Sequence, residues 1–111
     1  MKSRVFIVNL SAHDFKEAEK YGELVFLTKG RVNGKKINKH ARDFVEKLKG
    51  MTSRDWILFT SLQSLNWLLG YIMGRMNINP VNILYYSNKK YLEFQLDFSN
   101  LMEGDGENDY K

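Results

Sequence analysis

Three segments of the sequence carry polar side chains directly after runs of apolar residues. They contain the hydroxyl, amide, glycine and cationic groups that hold phosphate and ribose oxygens by hydrogen bonds and charge. We predict a ligand site formed by Asn9, Ser11, His13, Thr28, Lys29, Gly30, Arg31, Asn33, Thr60, Ser61, Gln63 and Asn66. The sequence has no Gly-rich phosphate fingerprint, so this prediction depends on where the fold places these residues.

Several of these residues also suit a purely structural role. Ser11 and Ser61 are preferred residue types at helix N-termini. His13 and Asp14 form the one locus where a histidine and a carboxylate could act as acid and base, although His13 equally suits a polar helix start. His40 is expected to be solvated on the polar side of a helix. No histidine or carboxylate spacing matches a metal site, so we expect no metal and no cofactor.

A cluster of cations follows the second apolar run. Its members are Lys29, Arg31, Lys35, Lys36, Lys39 and Arg42. The cluster could neutralise a polyphosphate or contact nucleic acid, or it could be a solvated loop and helix face. Aromatic residues do not alternate with these cations, as they do where proteins bind single-stranded nucleic acid. Binding of nucleic acid is therefore unlikely to be the function of the cluster.

The polar segments need secondary-structure elements that bring them together. Short β-branched and apolar runs predict four buried strands, at residues 4–10, 23–28, 56–59 and 81–86. Apolar spacing predicts three helices, at about residues 15–21, 37–48 and 62–76. Residues 91–98 alternate strictly, which predicts a half-exposed antiparallel edge strand with Leu92, Phe94, Leu96 and Phe98 on one face.

This order of elements predicts an α/β fold. We expect a small Rossmann-like three-layer sandwich around a mostly parallel five-stranded sheet in the order 2-1-3-4-5, with the antiparallel strand at its edge. The strand order reverses between the first and third strands. A crevice is therefore expected at their C-terminal ends, where the three polar segments would meet.

The helix at residues 62–76 is apolar over most of its surface. It must be buried by the sheet, by a partner chain, or by both. Gly70 and Gly74 share one side and are expected to pack closely against the sheet. Trp67 and Tyr71 add apolar surface beyond what a five-stranded sheet covers, so we predict a homodimer with twofold symmetry.

Length and composition set limits on the class of protein. The 111 residues and net charge of +4 fit one basic domain, and we place it at residues 1–100, followed by an acidic disordered tail at 101–111. The absence of cysteine excludes disulfides and thiolate chemistry. No signal peptide and no apolar stretch of bilayer length are found, which predicts a soluble cytoplasmic protein without a membrane partner.

Two resemblances follow from these segments. With Ser11 after the first strand and Thr60-Ser61 after the central one, the layout resembles CRISPR-associated Rossmann-fold (CARF) sensor domains. That resemblance implies binding of a cyclic oligonucleotide across a dimer. The pieces Asn-Leu-Ser, Leu-Thr-x-Gly and Ser-Leu-x-x-Leu-Asn are similar to those of small phage-encoded α/β proteins of unknown function, over about residues 4–98.

The leading hypothesis is a protein that binds a small nucleotide-derived anion in the crevice and, in a phage, sequesters a host defence signal. Ser11, Thr60 and Ser61 would supply hydroxyls, Asn9, Asn33 and Asn66 would read ribose or base edges, and Lys29 and Arg31 would neutralise phosphate. One alternative is a nucleotide phosphodiesterase or glycosidase that uses His13 or Asp14. Another is a module that inhibits a host protein through the 62–76 helix or the edge strand.

Overall fold

The computed structural model describes residues 3–10, 14–60 and 62–99. In chain order its elements are β1 (Arg4–Ile7), a first 3-10 helix (Lys16–Tyr21), β2 (Glu23–Phe26), a second 3-10 helix (Gly34–Lys36), α1 (Ile37–Leu48), β3 (Trp56–Leu58), α2 (Gln63–Arg75), β4 (Val81–Ser87) and β5 (Lys90–Leu96). Each predicted strand and helix is present. The first helix is a 3-10 helix, and the predicted tail at 101–111 lies outside the described residues.

The sheet has the predicted strand order, β2-β1-β3-β4-β5. β1 pairs in parallel with β2 and β3, and β3 pairs in parallel with β4. β5 runs antiparallel to β4 through a two-residue turn at Asn88 and Lys89, both of which have positive φ. The α/β fold class and the reversal of strand order between β1 and β3 are therefore confirmed.

The two faces of the sheet pack against different helices. On one face α1 and α2 bury a core that includes Phe6, Ile57, Phe44 and Leu69. On the other face the first 3-10 helix packs Ala18 against a smaller core with Val5, Ile7, Leu58 and Leu84. Alternate residues of β1 and β3 supply both cores, which is why these short strands read as continuous apolar runs.

A buried carboxylate joins the amino ends of the central strands. Asp55 is 3% exposed, and its carboxylate accepts hydrogen bonds from the backbone N–H groups of Arg4 and Thr52, both at 2.8 Å. The Arg4 guanidinium approaches the same carboxylate at 3.4 Å. Asn82 of β4 donates to the backbone oxygens of Ser53 and Asp55, at 2.6 and 3.2 Å. Three neighbouring strands are thus held in register at one end of the sheet.

The outer side of α2 differs from the prediction. Leu65, Leu69 and Ile72 are buried as expected, because they lie on the side that faces the sheet. Gly70 and Gly74 lie on the opposite side, where a Cβ atom would meet no atom within 4 Å. The predicted close packing of these two glycines on the sheet is therefore wrong.

The end of the sheet at β5 is sparsely covered. Leu92, Phe94 and Leu96 share one face of β5 as predicted, and Phe98 follows the end of the strand. These four side chains are each 40–54% exposed. Among residues 3–10, 14–60 and 62–99, no helix has the length and apolar character that crossing a bilayer requires.

Gly22 permits a close approach that no other residue type allows. It has φ +156° between the first 3-10 helix and β2, and an added Cβ would overlap the Ser3 carbonyl. That carbonyl accepts the Glu23 N–H at 2.9 Å, so the overlap cannot be relieved without breaking the first contact between β1 and β2.

We expect Gly22→Ala to lower the free energy of unfolding by about 1–3 kcal/mol, since both overpacking and an unfavourable φ act against it. Urea unfolding measures the loss. Gly70→Ala is the matched control, and it should raise stability by about 0.5–1 kcal/mol because it removes a glycine from the interior of α2 at an open position. Equal effects of the two substitutions would contradict the packing described for Gly22.

Candidate functional site

The carboxyl ends of β1 and β2 are tied together by side chains that were predicted to face a ligand. Asn9 is 2% exposed, and its Nδ2 donates to Thr28 Oγ1 at 2.8 Å and to the Gly30 carbonyl at 3.1 Å. Thr28 Oγ1 in turn donates to the Val8 carbonyl at 2.7 Å. Gly30 has φ +71°, which lets the chain turn back while its N–H bonds Leu10. These three residues build the loops of this edge.

The turn between β3 and α2 is closed in a similar way. Asn66 Nδ2 donates to the Thr60 carbonyl at 2.7 Å, and the Thr60 N–H donates back to Asn66 Oδ1 at 3.3 Å. Thr60 Oγ1 lies 3.4 Å from the Leu62 N–H. The amide of Asn66, one helical turn inside α2, therefore fixes the course of the chain just after the central strand.

A cavity of about 660 Å³ opens at the carboxyl ends of β3 and β4. We call it the aromatic cavity, and its lining residues are Asp14, Phe15, Leu58, Phe59, Thr60, Asn66, Tyr85, Tyr86 and Tyr91. Its volume lies within the range of small-molecule sites, which are mostly apolar with a few convergent polar groups. Three residues that the sequence predicted to contribute to a site, Asp14, Thr60 and Asn66, lie on its wall.

Tyrosines dominate the wall of the aromatic cavity. Tyr85 and Tyr86 lie near the carboxyl end of β4, and as consecutive strand residues they point to opposite faces of the sheet. Their side chains are 55% and 56% exposed. The Tyr86 ring meets that of Tyr91 edge to face, with centroids 5.1 Å apart. Burial raises the pKa of the Tyr91 phenol, and the nearby Tyr86 phenol and the Glu17 and Asp14 carboxylates raise it further. The phenol is thus a neutral donor and acceptor at physiological pH.

A second, more polar pocket of about 380 Å³ lies at the carboxyl end of β2. We call it the basic pocket, and its lining residues are Leu27, Thr28, Lys29, Arg31, Asn33, Lys36, Lys39, His40, Asp43 and Lys47. Lys47 Nζ donates to the carbonyls of Phe26 and Leu27, at 2.9 and 3.3 Å, and so covers the end of β2. Five cations around one small concavity create a positive potential that attracts anions.

His40 differs from its predicted environment. It was expected to be solvated on the polar side of α1, but it is partly buried against the basic pocket. Its Nε2 is buried and has no hydrogen-bond partner. The sequence did not indicate this, because the helical spacing of residues 37–48 puts His40 near the boundary between the apolar and polar sides.

The predicted site residues are thus divided between two cavities at the same edge of the sheet. Lys29, Arg31, Asn33 and Thr28 line the basic pocket, whereas Thr60, Asn66 and Asp14 line the aromatic cavity. Gln63 is exposed at the start of α2 and lines neither. Ser11, His13 and Ser61 lie outside the described residues.

The tyrosines of the aromatic cavity were not among the predicted site residues. The signal that could have found them is the pair Tyr85-Tyr86, since consecutive aromatics at the carboxyl end of a parallel strand stand where ligands bind in open α/β sheets. A third cavity, lined by Ser3, Lys20 and Gly22 among others, lies at the opposite end of β2, away from the polar loops. In the described part of the chain, no three His, Asp or Glu side chains are arranged to hold a metal ion.

A family model for the phage Pam3 gp32-like protein matches residues 3–98. The chain belongs to this phage protein family. The match covers every strand and helix of the sheet domain, so the predicted resemblance to small phage-encoded proteins is confirmed. Neither a search of curated proteins nor a search of solved structures returned a match.

The internal bonds of Asn9 yield a direct prediction. Asn9→Ala should lower the free energy of unfolding by about 1–3 kcal/mol, because the buried Thr28 hydroxyl loses its donor and the Gly30 carbonyl loses a bond. Chemical denaturation measures the change, with the exposed Asn38→Ala as control. If Asn9→Ala were as stable as the control, Asn9 would not hold the β1 and β2 loops together.

Proposed function

We propose that this phage protein binds a small nucleotide-derived anion at the carboxyl edge of its sheet. The observation that carries the proposal is the aromatic cavity, with its exposed Tyr85 and Tyr86 at the end of β4. Aromatic side chains stack on nucleobases with about 1–3 kcal/mol per base and without strong preference for one base. The Tyr91 phenol and the Asn66 amide add polar groups that can orient a base or a ribose.

The phosphate part of the ligand would be neutralised by Lys29 and Arg31 of the basic pocket. Both side chains are exposed, and they follow β2 at the same edge of the sheet as the aromatic cavity. The hydroxyls of Ser11, Thr60 and Ser61, which follow β1 and β3 in the sequence, would add donors. Asn33 has a structural role as well, since its side chain accepts the Lys35 N–H at 3.0 Å.

The biological role we infer is sequestration of a nucleotide second messenger of host defence, in the cytoplasm of the infected cell. Membership of a phage family supports a role during infection. The resemblance to CARF sensor domains, which the sequence suggests, implies a cyclic oligonucleotide as the ligand. An enzyme is the second candidate, and Asp14 favours it because this carboxylate lies on the wall of the aromatic cavity. His13 or Asp14 would then act as acid or base on a phosphodiester or glycosidic bond.

We also propose that the protein is a homodimer. Trp67 and Tyr71 on α2 are 68% and 56% exposed, and their rings stack with centroids 5.5 Å apart. Together with the exposed face of β5, they are apolar surfaces that a partner chain could cover.

Ligand binding is tested by a thermal-shift screen of the full chain against mono-, di- and cyclic nucleotides and ADP-ribose. A bound compound raises the melting temperature by mass action. Tyr85→Ala should weaken binding of any such compound by about tenfold or more, through loss of stacking. The double variant with Lys29→Ala and Arg31→Ala should also weaken binding, and the loss should be larger in low salt than in high salt.

Matched controls lie elsewhere on the surface. Trp67→Ala removes an exposed aromatic outside the aromatic cavity, and Lys49→Ala removes an exposed cation outside the basic pocket. Neither should change the shift. Chromatography of each mixture separates the two candidate functions, since sequestration returns the compound intact and an enzyme yields product. A screen without any shift would contradict the proposal.

A further inference from the structure

The outer edge of β5 is open for pairing with another strand. β5 is the last strand of the sheet, and among the described residues it pairs with β4 alone. Its seven residues, Lys90–Leu96, contain no proline, and their register with β4 is unbroken. Proline and bulges are devices that protect edge strands from adding another strand, so this edge lacks two of the usual safeguards.

The turn at Asn88 and Lys89 fixes which backbone groups face outward. In a two-residue hairpin the flanking pair, here Ser87 and Lys90, exchanges both hydrogen bonds. Hydrogen-bonded pairs recur at every second residue, so Leu92 and Phe94 also direct their N–H and C=O groups at β4. Tyr91, Glu93 and Gln95 therefore direct theirs away from the sheet.

The side chains of β5 are apolar on one face. Leu92, Phe94, Leu96 and Phe98, which we call the apolar row, are each 40–54% exposed. Pairing of Leu96 with Val81 and of Phe94 with Ile83 puts the row on the face that carries α1 and α2. The row exposes apolar surface on the order of 350 Å², which is comparable to the largest patch of a typical monomer.

We propose that a second copy of the chain pairs its β5 antiparallel to this one, about a twofold axis at Phe94. The pairing rests on the proposed homodimer and assigns it a surface, and it is independent of ligand binding. It would join two five-stranded sheets into one and form about four backbone hydrogen bonds between Glu93 and Gln95 of the two copies, with further bonds where Tyr91 meets Asp97. Leu92 of each copy would lie opposite Leu96 of the other, so that the two apolar rows lie side by side.

Charge and the apolar row together select this register. A twofold axis at Glu93 would set two carboxylates opposite each other, and an axis at Gln95 would set Glu93 opposite Asp97 of the other copy. Like charges directly opposite each other destabilise a strand pair. The axis at Phe94 sets Glu93 opposite Gln95 and Tyr91 opposite Asp97, without any like-charged pair. A twofold axis at Leu92 also avoids like-charged pairs, but it would set Lys90 opposite Phe94 and so interrupt the row.

The same charges favour a second copy over a foreign strand. Lys89 and Lys90 lie at the start of β5 and Asp97 follows its end, so an antiparallel copy brings opposite charges near each other at both ends. The pairing buries the flank of the row that faces the partner, so this contact is smaller than the roughly 800 Å² that each partner buries in a standard interface. The paired backbones and the outward side chains supply further area, which fits a dimer of moderate affinity.

Gln95→Pro tests the pairing directly. It removes an outward N–H, and proline is tolerated at an edge strand when its N–H faces solvent, so the monomer should keep its fold. Sedimentation velocity and light scattering should give twice the chain mass for the wild type and for the Gln95→Ala control. The Gln95→Pro variant should dissociate at least tenfold more readily, with an unchanged circular dichroism spectrum.

A second variant keeps the test valid if Gln95→Pro does not fold. Phe94→Lys sets two cations opposite each other at the axis, so this variant should also be monomeric. Trp67→Lys, which changes a residue on the exposed side of α2, should stay dimeric. A dimer that survives both β5 variants but is lost in Trp67→Lys would overturn the pairing and leave the homodimer intact. A wild type that is monomeric at high concentration would overturn both.

Discussion

The buried carboxylate of Asp55 is the contact on which the order of this small sheet depends. β1 and β3 are only four and three residues long, so their ladder alone offers few hydrogen bonds to fix their register. Asp55 adds bonds to the backbone of Arg4 and Thr52, and its own backbone carbonyl receives Asn82 from β4. With the amino ends fixed, the carboxyl ends of β1, β3 and β4 emerge side by side.

That arrangement explains where the functional candidates lie. Loops that leave parallel strands on the same edge meet one another, and the aromatic cavity and the basic pocket both form there. Many of the small polar side chains of this edge are engaged with the backbone. The side chains of Asn9, Asn33 and Asn66 form hydrogen bonds that hold the turns in place. The larger side chains of Tyr85 and Arg31 are exposed and can contact a ligand.

The fold could be predicted from the sequence because its signals are local and agree with one another. The apolar run at Trp56–Leu58, the spacing of Ile37, Phe44 and Leu48, and the alternation from Leu92 onward each match one type of element. Right-handed crossovers then leave few strand orders to choose from, and the observed order is the predicted one.

The details of the site could not be predicted to the same degree. Sequence shows that Asn9 and Thr28 are polar and follow strands, but their mutual hydrogen bond joins residues 19 positions apart and depends on the tertiary fold. The surroundings of His40 depend on how α1 is rotated against β2, which periodicity fixes only within a fraction of a turn. Tyr85 and Tyr86 looked like ordinary strand residues, because aromatics are common in strands.

The central claim, that this edge of the sheet binds a nucleotide-derived anion, is tested most directly by an NMR titration of the ¹⁵N-labelled full chain. Amide spectra would be recorded with increasing ADP-ribose and with cyclic nucleotides. We predict shifts of the amides of Thr60, Asn66 and Tyr85 around the aromatic cavity, together with those of Lys29 and Arg31. Shifts confined to the amino ends of the strands, or none with any compound, would contradict the account.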